Sequence, residues 1–408
     1  MLDRDRGTLR ALATRWMELA SDPIMQERKR LWTALKDLRP VRPMVLFETW
    51  TLEGYVRTEE LVCEDPLFRG VEHSMRWTIR QAEEVGDDIV VEPVWRVGWD
   101  IGGAGYGVDI PAHHAADSEG GCVGYAFEHP IRTPEDLDRL TPRTWRVDRE
   151  STLRRVERLQ ETFGDILPVR LHGTSSLHAG LTQDAFKLLG NDNLLTWVYD
   201  APDAIRRLMA FLRDDRLAFF DWLEREGLLG RNNHWALVGS GSPGYTTALP
   251  DDDAPGPVRL KDLWVWMESQ ETSGVSPGMF CDFFLPAMAE VCARFGLVYY
   301  GCCEAVHDRW EHIAAAIPHA RAVSISPWSD LRVAASQLNG SRVFSRKPAP
   351  GPISGATPDW GALRADLDAT VDAARGCPLE IIFRDVYRIH GDRPRLRRWA
   401  DLARERSA

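Results

Sequence analysis

Eight short, almost continuously apolar runs recur along this 408-residue chain, and segments with helical patterns separate most of them. Runs of this kind are typical of strands that are covered on both faces. Because alternation of strands and helices favours a parallel sheet, and eight such units close a barrel, we predict a (β/α)8 TIM barrel. An open doubly wound sheet is the alternative. The predicted strands are 44–48, 88–92, 167–172, 234–239, 297–301, 322–326, 342–347 and 379–385.

Helical patterns lie between these runs. Ser276-Pro277 and Asp330 indicate two helix starts, because serine and aspartate favour the N-cap and proline favours the first turn. The predicted helices are 59–84, 151–163, 202–226, 279–295, 307–317, 330–338, 360–374 and 393–406.

Two further segments add to the barrel, which we assign to residues 41–408. Residues 1–40 have an apolar stripe that includes Leu9 and Trp16, and they predict an N-terminal helical extension across the barrel bottom. Residues 94–133, rich in glycine and histidine, form a long insertion after the second strand. Insertions of this length in compact domains are usually functional.

The composition restricts the partners of the chain. Lys and Arg number 50 against 61 Asp and Glu, and the two signs are interspersed, which excludes the basic surface that nucleic acid requires. Charges interrupt every apolar stretch well short of the roughly 20 residues of a membrane span. The charged start at 1–6 is unlike a signal peptide, and seven dispersed cysteines argue against a disulfide framework. We expect a cytoplasmic protein with a small-molecule substrate and a homodimer as the candidate oligomer.

Polar side chains end almost every predicted strand. The carboxyl ends of barrel strands meet at one face, which carries the functional residues of such folds. Each of these polar groups has a structural alternative, since aspartate and serine after a strand also cap the next helix. The candidate catalytic residues are Glu92, His172 and Asp385, and the candidate substrate-binding residues are Trp50, Asn233, His234, Ser240, Trp328 and Lys347.

The densest group of reactive side chains follows the fifth predicted strand, within Gly301 to His307. Zinc is bound by cysteine, histidine and carboxylate groups, and a catalytic zinc keeps three protein ligands and one open position. The structural alternative is that the thiols fill apolar space, the carboxylate caps a helix and the imidazole lies on the surface. Two adjacent cysteines cannot easily both point inward. The candidate metal ligands are Cys302, Cys303, Glu304, His307 and His390.

Four segments carry a family resemblance: 299–304 (YYGCCE), 324–330 (SISPWSD), 345–350 (SRKPAP) and 232–241. Together they resemble the uroporphyrinogen decarboxylase superfamily, and within it a bacterial branch related to the zinc-dependent corrinoid methyltransferases. The resemblance covers most of the chain from about residue 40. It implies a (β/α)8 barrel with its active site at the carboxyl ends of the strands.

Two departures from the superfamily pattern bear on the activity. The decarboxylases carry an arginine-rich loop after the first strand that holds substrate carboxylates, whereas this chain has 47–51 (FETWT) there. The methyltransferases have a His-x-Cys pair at the position where this chain has Tyr300-Gly301-Cys302. They also have a second cysteine near the end of the chain, where this chain has Asp385 and His390 instead. A metal site in this chain must therefore be assembled from Cys, Glu and either Asp or His.

Three functions are compatible with this resemblance. The first is zinc-dependent methyl transfer involving a small organic substrate, with the corrinoid on a separate partner protein, because the chain lacks an Asp-x-His-x-x-Gly signature. The second is a metal-free decarboxylase, in which Asp385, Glu92, His172 and Lys347 hold a carboxylated substrate, porphyrinogen-like or smaller, and protonate the carbanion. The third is a non-catalytic protein that binds a tetrapyrrole or corrinoid in a tryptophan-lined cavity.

Overall fold

The structure is a computed structural model that describes residues 3–116 and 122–407, without the side chains of 116, 122, 123 and 125. It is a mixed α/β fold around a central sheet of six strands. The strands are β1 Met44–Phe47, β2 Trp95–Val97, β3 Asp100–Ala104, β4 Ala112–Ala116, β5 Cys122–Phe127, β6 Thr144–Asp148, β7 Val169–Leu171, β8 Leu237–Gly239, β9 Ser242–Pro243, β10 Trp264–Met267, β11 Leu297–Tyr300, β12 Ala320–Ile325, β13 Val343–Arg346 and β14 Leu379–Phe383. The helices are α1 Asp3–Ala20, α2 Pro23–Lys36, α3 Pro66–Arg80, α4 Arg149–Phe163, α5 Leu181–Asp200, α6 Pro202–Arg225, α7 Pro277–Phe283, α8 Leu285–Cys292, α9 Trp310–Ala316, α10 Leu331–Leu338, α11 Gly351–Ser354, α12 Trp360–Ala373 and α13 Pro394–Ser407.

The central sheet has the order β1-β14-β13-β12-β11-β10, and all of its neighbouring strands are parallel. At one edge Met44 pairs with Glu380, and at the other Trp264 pairs with Leu297. Because all six strands run in one direction, their carboxyl ends lie along the same side of the sheet. Five of the predicted strands are confirmed in this sheet, at 44–47, 297–300, 320–325, 343–346 and 379–383.

A closed barrel is not confirmed. The central sheet ends at β1, and the side chains beside this strand explain why no further strand pairs with it. The prediction of a strand at 88–92 is wrong, because these residues form no strand; one backbone hydrogen bond, from the Asp88 N–H to the Val45 carbonyl at 2.8 Å, links them to β1. The carboxylates of Asp88 and Asp87 accept the backbone N–H groups of Val45 (2.8 Å) and Phe47 (2.9 Å). Side-chain oxygens thus satisfy donors that a neighbouring strand would otherwise bond.

The prediction that 234–239 is the fourth strand of the parallel sheet is also wrong. Only Leu237–Gly239 is extended as a strand, and it pairs antiparallel with Ser242–Pro243 in a small hairpin. The sequence analysis instead missed β10, whose run Trp264-Val265-Trp266-Met267 supplies the edge strand of the sheet. Beyond β10 the ladder continues only as an isolated bridge between Trp266 and His178.

Smaller strand pairs form the long insertion and its surroundings. β2 pairs parallel with β7, which confirms a strand within 167–172, and β3 pairs antiparallel with β6. β4 and β5 form an antiparallel pair, and the part of the predicted insertion at 117–121 lies outside the described residues.

The predicted helices are found with shifted ends. The segment 59–84 starts in the short 3-10 helix Thr58–Glu60, is α-helical only from Pro66, and closes with a π-helical turn at Gln81–Val85. The segment 279–295 is two helices, α7 and α8, because Pro286 lacks the N–H that a continuous helix needs. Helix α5 was not predicted; it is interrupted at Gly190, which has a positive φ of 76°, and its buried residues follow a helical period only within each half, at 181, 185, 188 and 189 and at 194, 197 and 198. None of the described helices combines the length and apolar character required to cross a bilayer.

Both faces of the central sheet are covered by apolar side chains. Val45, Val298 and Ile381 belong to a core that includes residues of helices α5 to α13. The alternate residues Leu46 and Tyr299 point to the other face and belong to a second core, which includes residues of α1 to α4. This double covering explains why the strands are almost continuously apolar.

A buried polar network crosses the second face. The Lys36 ammonium donates to Glu380 Oε2 at 2.6 Å, and Ser242 donates to Glu380 Oε1 at 2.8 Å. Both side chains of the ion pair are fully buried. The network joins the end of α2 to β14 and to the hairpin β8–β9. A buried pair of this kind depends on both partners, because either charge alone is left without compensation.

We expect Lys36→Met to lower the free energy of unfolding by about 3–5 kcal/mol, because the buried Glu380 carboxylate loses the ammonium that hydrogen-bonds it and keeps only the nearby charge of Lys347. Urea denaturation followed by circular dichroism measures the loss. The control is the double variant Lys36→Met/Glu380→Gln, which removes both charges and is expected to be more stable than the single variant. Equal losses in the two proteins would show that the charge is not the cause.

Candidate functional site

Five side chains meet beyond the carboxyl ends of the central strands, and we call them the strand-end cluster: Glu48, Cys302, Cys303, Arg384 and Asp385. Glu48 directly follows β1, the two cysteines follow β11 after Gly301, and Arg384 and Asp385 follow β14. Arg384 Nε lies 3.0 Å from Glu48 Oε2 and 3.6 Å from Asp385 Oδ2. The parallel sheet therefore brings together groups that are more than 330 positions apart in sequence.

The Arg384 guanidinium is buried but not fully hydrogen-bonded. Its side chain is 10% exposed, and Nε and Nη1 have no hydrogen-bond partner in the described part of the chain. The short Nε to Glu48 distance is an ion contact in which the N–H does not point at the carboxylate oxygen. Free guanidinium donors bind carboxylate and phosphate groups well, so this position suits the anionic group of a ligand.

The two thiols of the cluster form a hydrogen-bonded pair with a sulfur separation of 3.7 Å. The hydrogen bond from Cys302 lowers the pKa of Cys303, while the same contact and burial raise the pKa of Cys302. Cys303 is the exposed thiol of the pair, and its lowered pKa makes it the one that ionises first. Two thiolates on one tetrahedral zinc ion lie about 3.8 Å apart, so the observed separation suits a shared zinc ion.

A cavity of about 640 Å³ opens beside Cys303. Its lining includes Phe186, Lys187, Glu271 and Trp328. Trp328 is 76% exposed, so its indole forms part of the outer rim of this cavity. The thiolate thus faces a space that can hold a small organic molecule.

An acidic group at the end of β10 was missed by the sequence analysis together with its strand. Glu268 Oε1 lies 3.5 Å from His178 Nε2, and neither atom has a hydrogen-bond partner among the described residues. Burial and the neighbouring carboxylates of Glu271 and Glu304 raise the pKa of Glu268 well above its ordinary range. Burial also lowers the pKa of His178 to about 4. Burial therefore favours the uncharged form of both side chains.

Three of the five predicted metal ligands have other partners. Glu304 is buried and accepts the N–H groups of Ser269 and Cys302, both at 2.8 Å. His307 Nδ1 accepts the N–H of Asp330 at 3.3 Å, and the exposed His390 contacts the carbonyl of Ser354 at 3.2 Å. Within the described residues the structure does not gather three ligand atoms around the thiol pair. The metal role of the predicted ligands stays a prediction.

A second group, which we call the imidazole cluster, contains Glu92, Arg96, His172, His234 and Asp252. The Nε2 atoms of His172 and His234 lie 3.2 Å apart, and His234 Nδ1 lies 3.7 Å from Glu92 Oε2. Arg96 bridges Glu92 at 2.5 Å and Asp252 at 2.8 Å. Two predicted catalytic residues and one predicted substrate-binding residue thus lie together, apart from Asp385.

Burial keeps both imidazoles of this cluster uncharged at neutral pH. It lowers the pKa of His234 to about 4, with a further contribution from the charge of Arg96, and it lowers the pKa of His172. A cavity of about 570 Å³ opens beside them, with Trp16, Trp95 and Trp235 in its walls. This is a tryptophan-lined cavity of the kind that the sequence analysis expects.

The remaining predicted substrate-binding residues have varied surroundings. The buried Asn233 amide donates to the carbonyls of 246, 249 and 250, which is a structural arrangement. Ser240 has a positive φ of 32° and donates to the Gly301 carbonyl at 3.4 Å. Trp50 is 59% exposed and hydrogen-bonds Glu48. Lys347 is fully buried near Glu380, Arg384 and Glu48, and burial lowers its pKa to about 7.

Several residues of the two clusters were not predicted. Arg384 lies inside the predicted last strand, and its place beside Asp385 was the signal that it reaches the same edge. Asp252 lies in the polar loop 250–257, and nothing in its local sequence indicates that the loop folds back onto His172. Glu268 follows the apolar run Trp264–Met267, which was the available signal for both the strand and its polar end.

Known proteins provide little further information about this site. No protein-family model matches the chain, and no curated protein sequence matches it. Among solved structures, a methyltransferase from Methanosarcina mazei is similar over 92% of this chain and 97% of its own, with 9% sequence identity and a TM-score of 0.47. A similarity of this degree carries no argument about the activity of the chain.

We expect Cys302→Ala to slow the alkylation of Cys303 by iodoacetamide at pH 7 by about tenfold in chelator-treated protein, because the variant removes the donor that stabilises the thiolate. The pH profile of the rate should move to higher pH, since a raised pKa leaves less thiolate at any given pH. Mass spectrometry of the labelled peptide measures the rate. Cys281→Ala, on α7, is the control and should leave the profile unchanged; an unchanged profile in Cys302→Ala contradicts the assignment.

Proposed function

We propose that this chain is a methyl-transfer enzyme that uses the thiol pair Cys302–Cys303 to bind zinc and acts on a small anionic substrate. The observation that carries the proposal is the paired thiols, 3.7 Å apart, beside a buried guanidinium with free donors. The methyl group would be exchanged with a corrinoid on a separate protein. Transfer of a methyl group to or from sulfur needs an activated thiol and a fixed orientation of the substrate, and the strand-end cluster has groups for both.

The two thiols of Cys302 and Cys303 are suitable as zinc ligands. The sulfur separation is suitable for one tetrahedral ion, and the Asp385 carboxylate is close enough to Cys303 to affect the pKa of its thiol. Asp385 has a φ of 60°, a left-handed conformation that aspartate tolerates and that is common at functional sites. We propose Asp385 as the third ligand; its carboxylate does not lie within 4.8 Å of both thiols, so zinc binding would require it to move toward them. Zinc bound there would act as a Lewis acid that lowers the pKa of a substrate thiol.

Side chains of the cluster would position the substrate. The free Nη1 donor of Arg384 would bind the anionic group, while Glu48 and Asp385, which both lie beside Nε, hold the guanidinium in place. Ser324 donates to the Cys302 carbonyl at 2.8 Å and Trp266 donates to the Gly301 carbonyl at 3.0 Å, which fixes the backbone of the thiol turn. A rigid turn keeps the thiols at one distance from the bound anion.

Exposed indoles support a protein partner for the methyl group. Trp50 and Trp328 are among the most exposed large apolar side chains, and each lies beside a member of the strand-end cluster or its cavity. Tryptophan is enriched in the centres of protein interfaces. A corrinoid protein that docks over this rim would bring its cofactor to the thiol pair.

We expect the zinc-loaded protein to bind zinc through Cys302 and Cys303 and to methylate mercaptoacetate with free methylcobalamin as the donor. Cys302→Ala and Cys303→Ala should each lower the rate by about 100-fold or more, because the Lewis acid is lost with its ligands. Loss of the cobalamin methyl band measures the rate, and elemental analysis measures the metal.

Two comparisons make this test specific. Arg384→Met should remove the preference for mercaptoacetate over neutral 2-mercaptoethanol, because the guanidinium selects the negative charge. Cys377→Ala, a cysteine outside the cluster, should keep both metal and rate. Zinc-loaded protein that transfers methyl groups equally well in both thiol variants would exclude the proposed role of the pair.

A metal-free decarboxylase is the second candidate, and the observation that favours it is Lys347. This buried ammonium has a pKa of about 7 and lies near Arg384, so the two cations could hold a carboxylate and supply a proton. Of the four residues considered for decarboxylation, Glu92 and His172 belong to the imidazole cluster. Decarboxylation at the strand-end cluster would therefore use only Lys347 and Asp385.

Carbon dioxide release in the presence of a chelator separates the two candidates. The decarboxylase requires release from a small dicarboxylic acid such as malonate, with a rate that falls as the pH rises through about 7, because Lys347 loses its proton there. Lys347→Arg keeps the charge at higher pH and would remove that fall. If the chain is a methyltransferase, it releases no carbon dioxide in the presence of a chelator, and this is the result that we expect. Release of carbon dioxide with this pH dependence would support the decarboxylase in place of the methyltransferase.

A further inference from the structure

We propose that His172, His234 and Asp252 form a binding site for a divalent transition-metal ion, separate from the thiol pair. One ligand atom from each of the three side chains lies within 4.8 Å of the other two, and no other three such side chains in the described residues meet this closely. The three residues come from the end of β7, from the segment before β8 and from the loop 250–257. The fold, rather than a local motif, brings them together.

Free ligand atoms point to an occupant of this site. His234 is 5% exposed, and its Nδ1 has no hydrogen-bond partner among the described residues. Asp252 Oδ1 is also buried without such a partner, and it lies 4.0 Å from His172 Nδ1. Buried polar atoms without partners are costly, and a bound cation would satisfy both.

Neighbouring groups hold these ligands in place as outer partners do in metal sites. Arg96 donates to Asp252 Oδ2 at 2.8 Å, which fixes the carboxylate and leaves Oδ1 directed toward the imidazoles. His172 Nε2 contacts the Arg231 carbonyl at 3.0 Å, which sets the orientation of the ring. Tyr245 donates to Glu92 at 2.8 Å, and Glu92 in turn faces His234 Nδ1 at 3.7 Å.

The ligand set identifies the class of metal. Two imidazoles and one carboxylate suit Zn²⁺ and Fe²⁺, whereas Mg²⁺ and Ca²⁺ prefer oxygen ligands throughout. Three protein ligands leave a position for a water or another oxygen donor, and the cavity of about 570 Å³ opens at His172 and His234. Indole walls and an open metal position suit a small organic molecule with an apolar body and a carboxylate or carbonyl oxygen.

Co²⁺ is the probe for this site, because its visible spectrum reports its ligands. We expect the Cys302→Ser/Cys303→Ser variant to bind one Co²⁺ with ligand-field bands and without the thiolate charge-transfer band that binding at the thiol pair produces. Asp252→Asn and His234→Ala, each made in that background, should weaken binding at least tenfold, as titration followed by absorbance measures. Asp253→Asn changes the neighbouring exposed carboxylate and should leave the affinity unchanged.

The same titration tells apart the failure of this site from the failure of the proposed function. Absence of Co²⁺ and Zn²⁺ binding in the folded double-serine variant would overturn the imidazole site and leave the thiol site standing. Binding that Asp252→Asn and His234→Ala do not weaken would overturn it as well. If wild type shows only ligand-field bands, the imidazole site is supported while the thiol site fails. Circular dichroism of each variant confirms that it is folded.

Discussion

Parallel pairing of β10 to β14 with β1 is the constraint on which both the fold and the strand-end cluster depend. Because the strands share one direction and a fixed register, the residues that follow them lie along one side of the sheet. Glu48 and Arg384 come within 3.0 Å only because β1 and β14 are direct neighbours. The thiol turn enters from β11, three strands away, and its distance to Arg384 is set by the same sheet.

Desolvation determines the charge states around this sheet. The two covering cores exclude water from its strands, so charged side chains on the second face depend on protein partners. Glu380 keeps its charge because Lys36 and Lys347 both face it, and its pKa lies below the usual value in spite of burial. Burial lowers the pKa of Lys347 to about 7, although the negative charge of Glu380, which it shares with Lys36, opposes this shift. One interior network thus stabilises the fold and places a titratable group under the strand-end cluster.

The sequence predicted those features that depend on residues close together in the chain. Apolar runs located five strands of the central sheet, and the expectation that Cys302, Cys303 and Asp385 follow strand ends agrees with their positions after β11 and β14. The roles of these residues stay predictions. Closure of the barrel was not predictable in this way, because Asp87 and Asp88 end the ladder through side-chain contacts that no apolar pattern reveals. The imidazole cluster was predictable only in part, since Asp252 lies 80 positions from His172 and Arg96 lies 138 positions from His234.

The energetic cost of the strand-end cluster argues that it is kept for a ligand. A buried donor without a partner costs about 1–3 kcal/mol, and a non-glycine residue in a left-handed conformation costs a similar amount. Arg384 and Asp385 combine both costs at adjacent positions, with Glu48 Oε2 also unpartnered among the described residues. A cluster selected for stability alone would pair these groups fully or replace them with apolar side chains. The anionic substrate that we propose for Arg384 would satisfy these free donors.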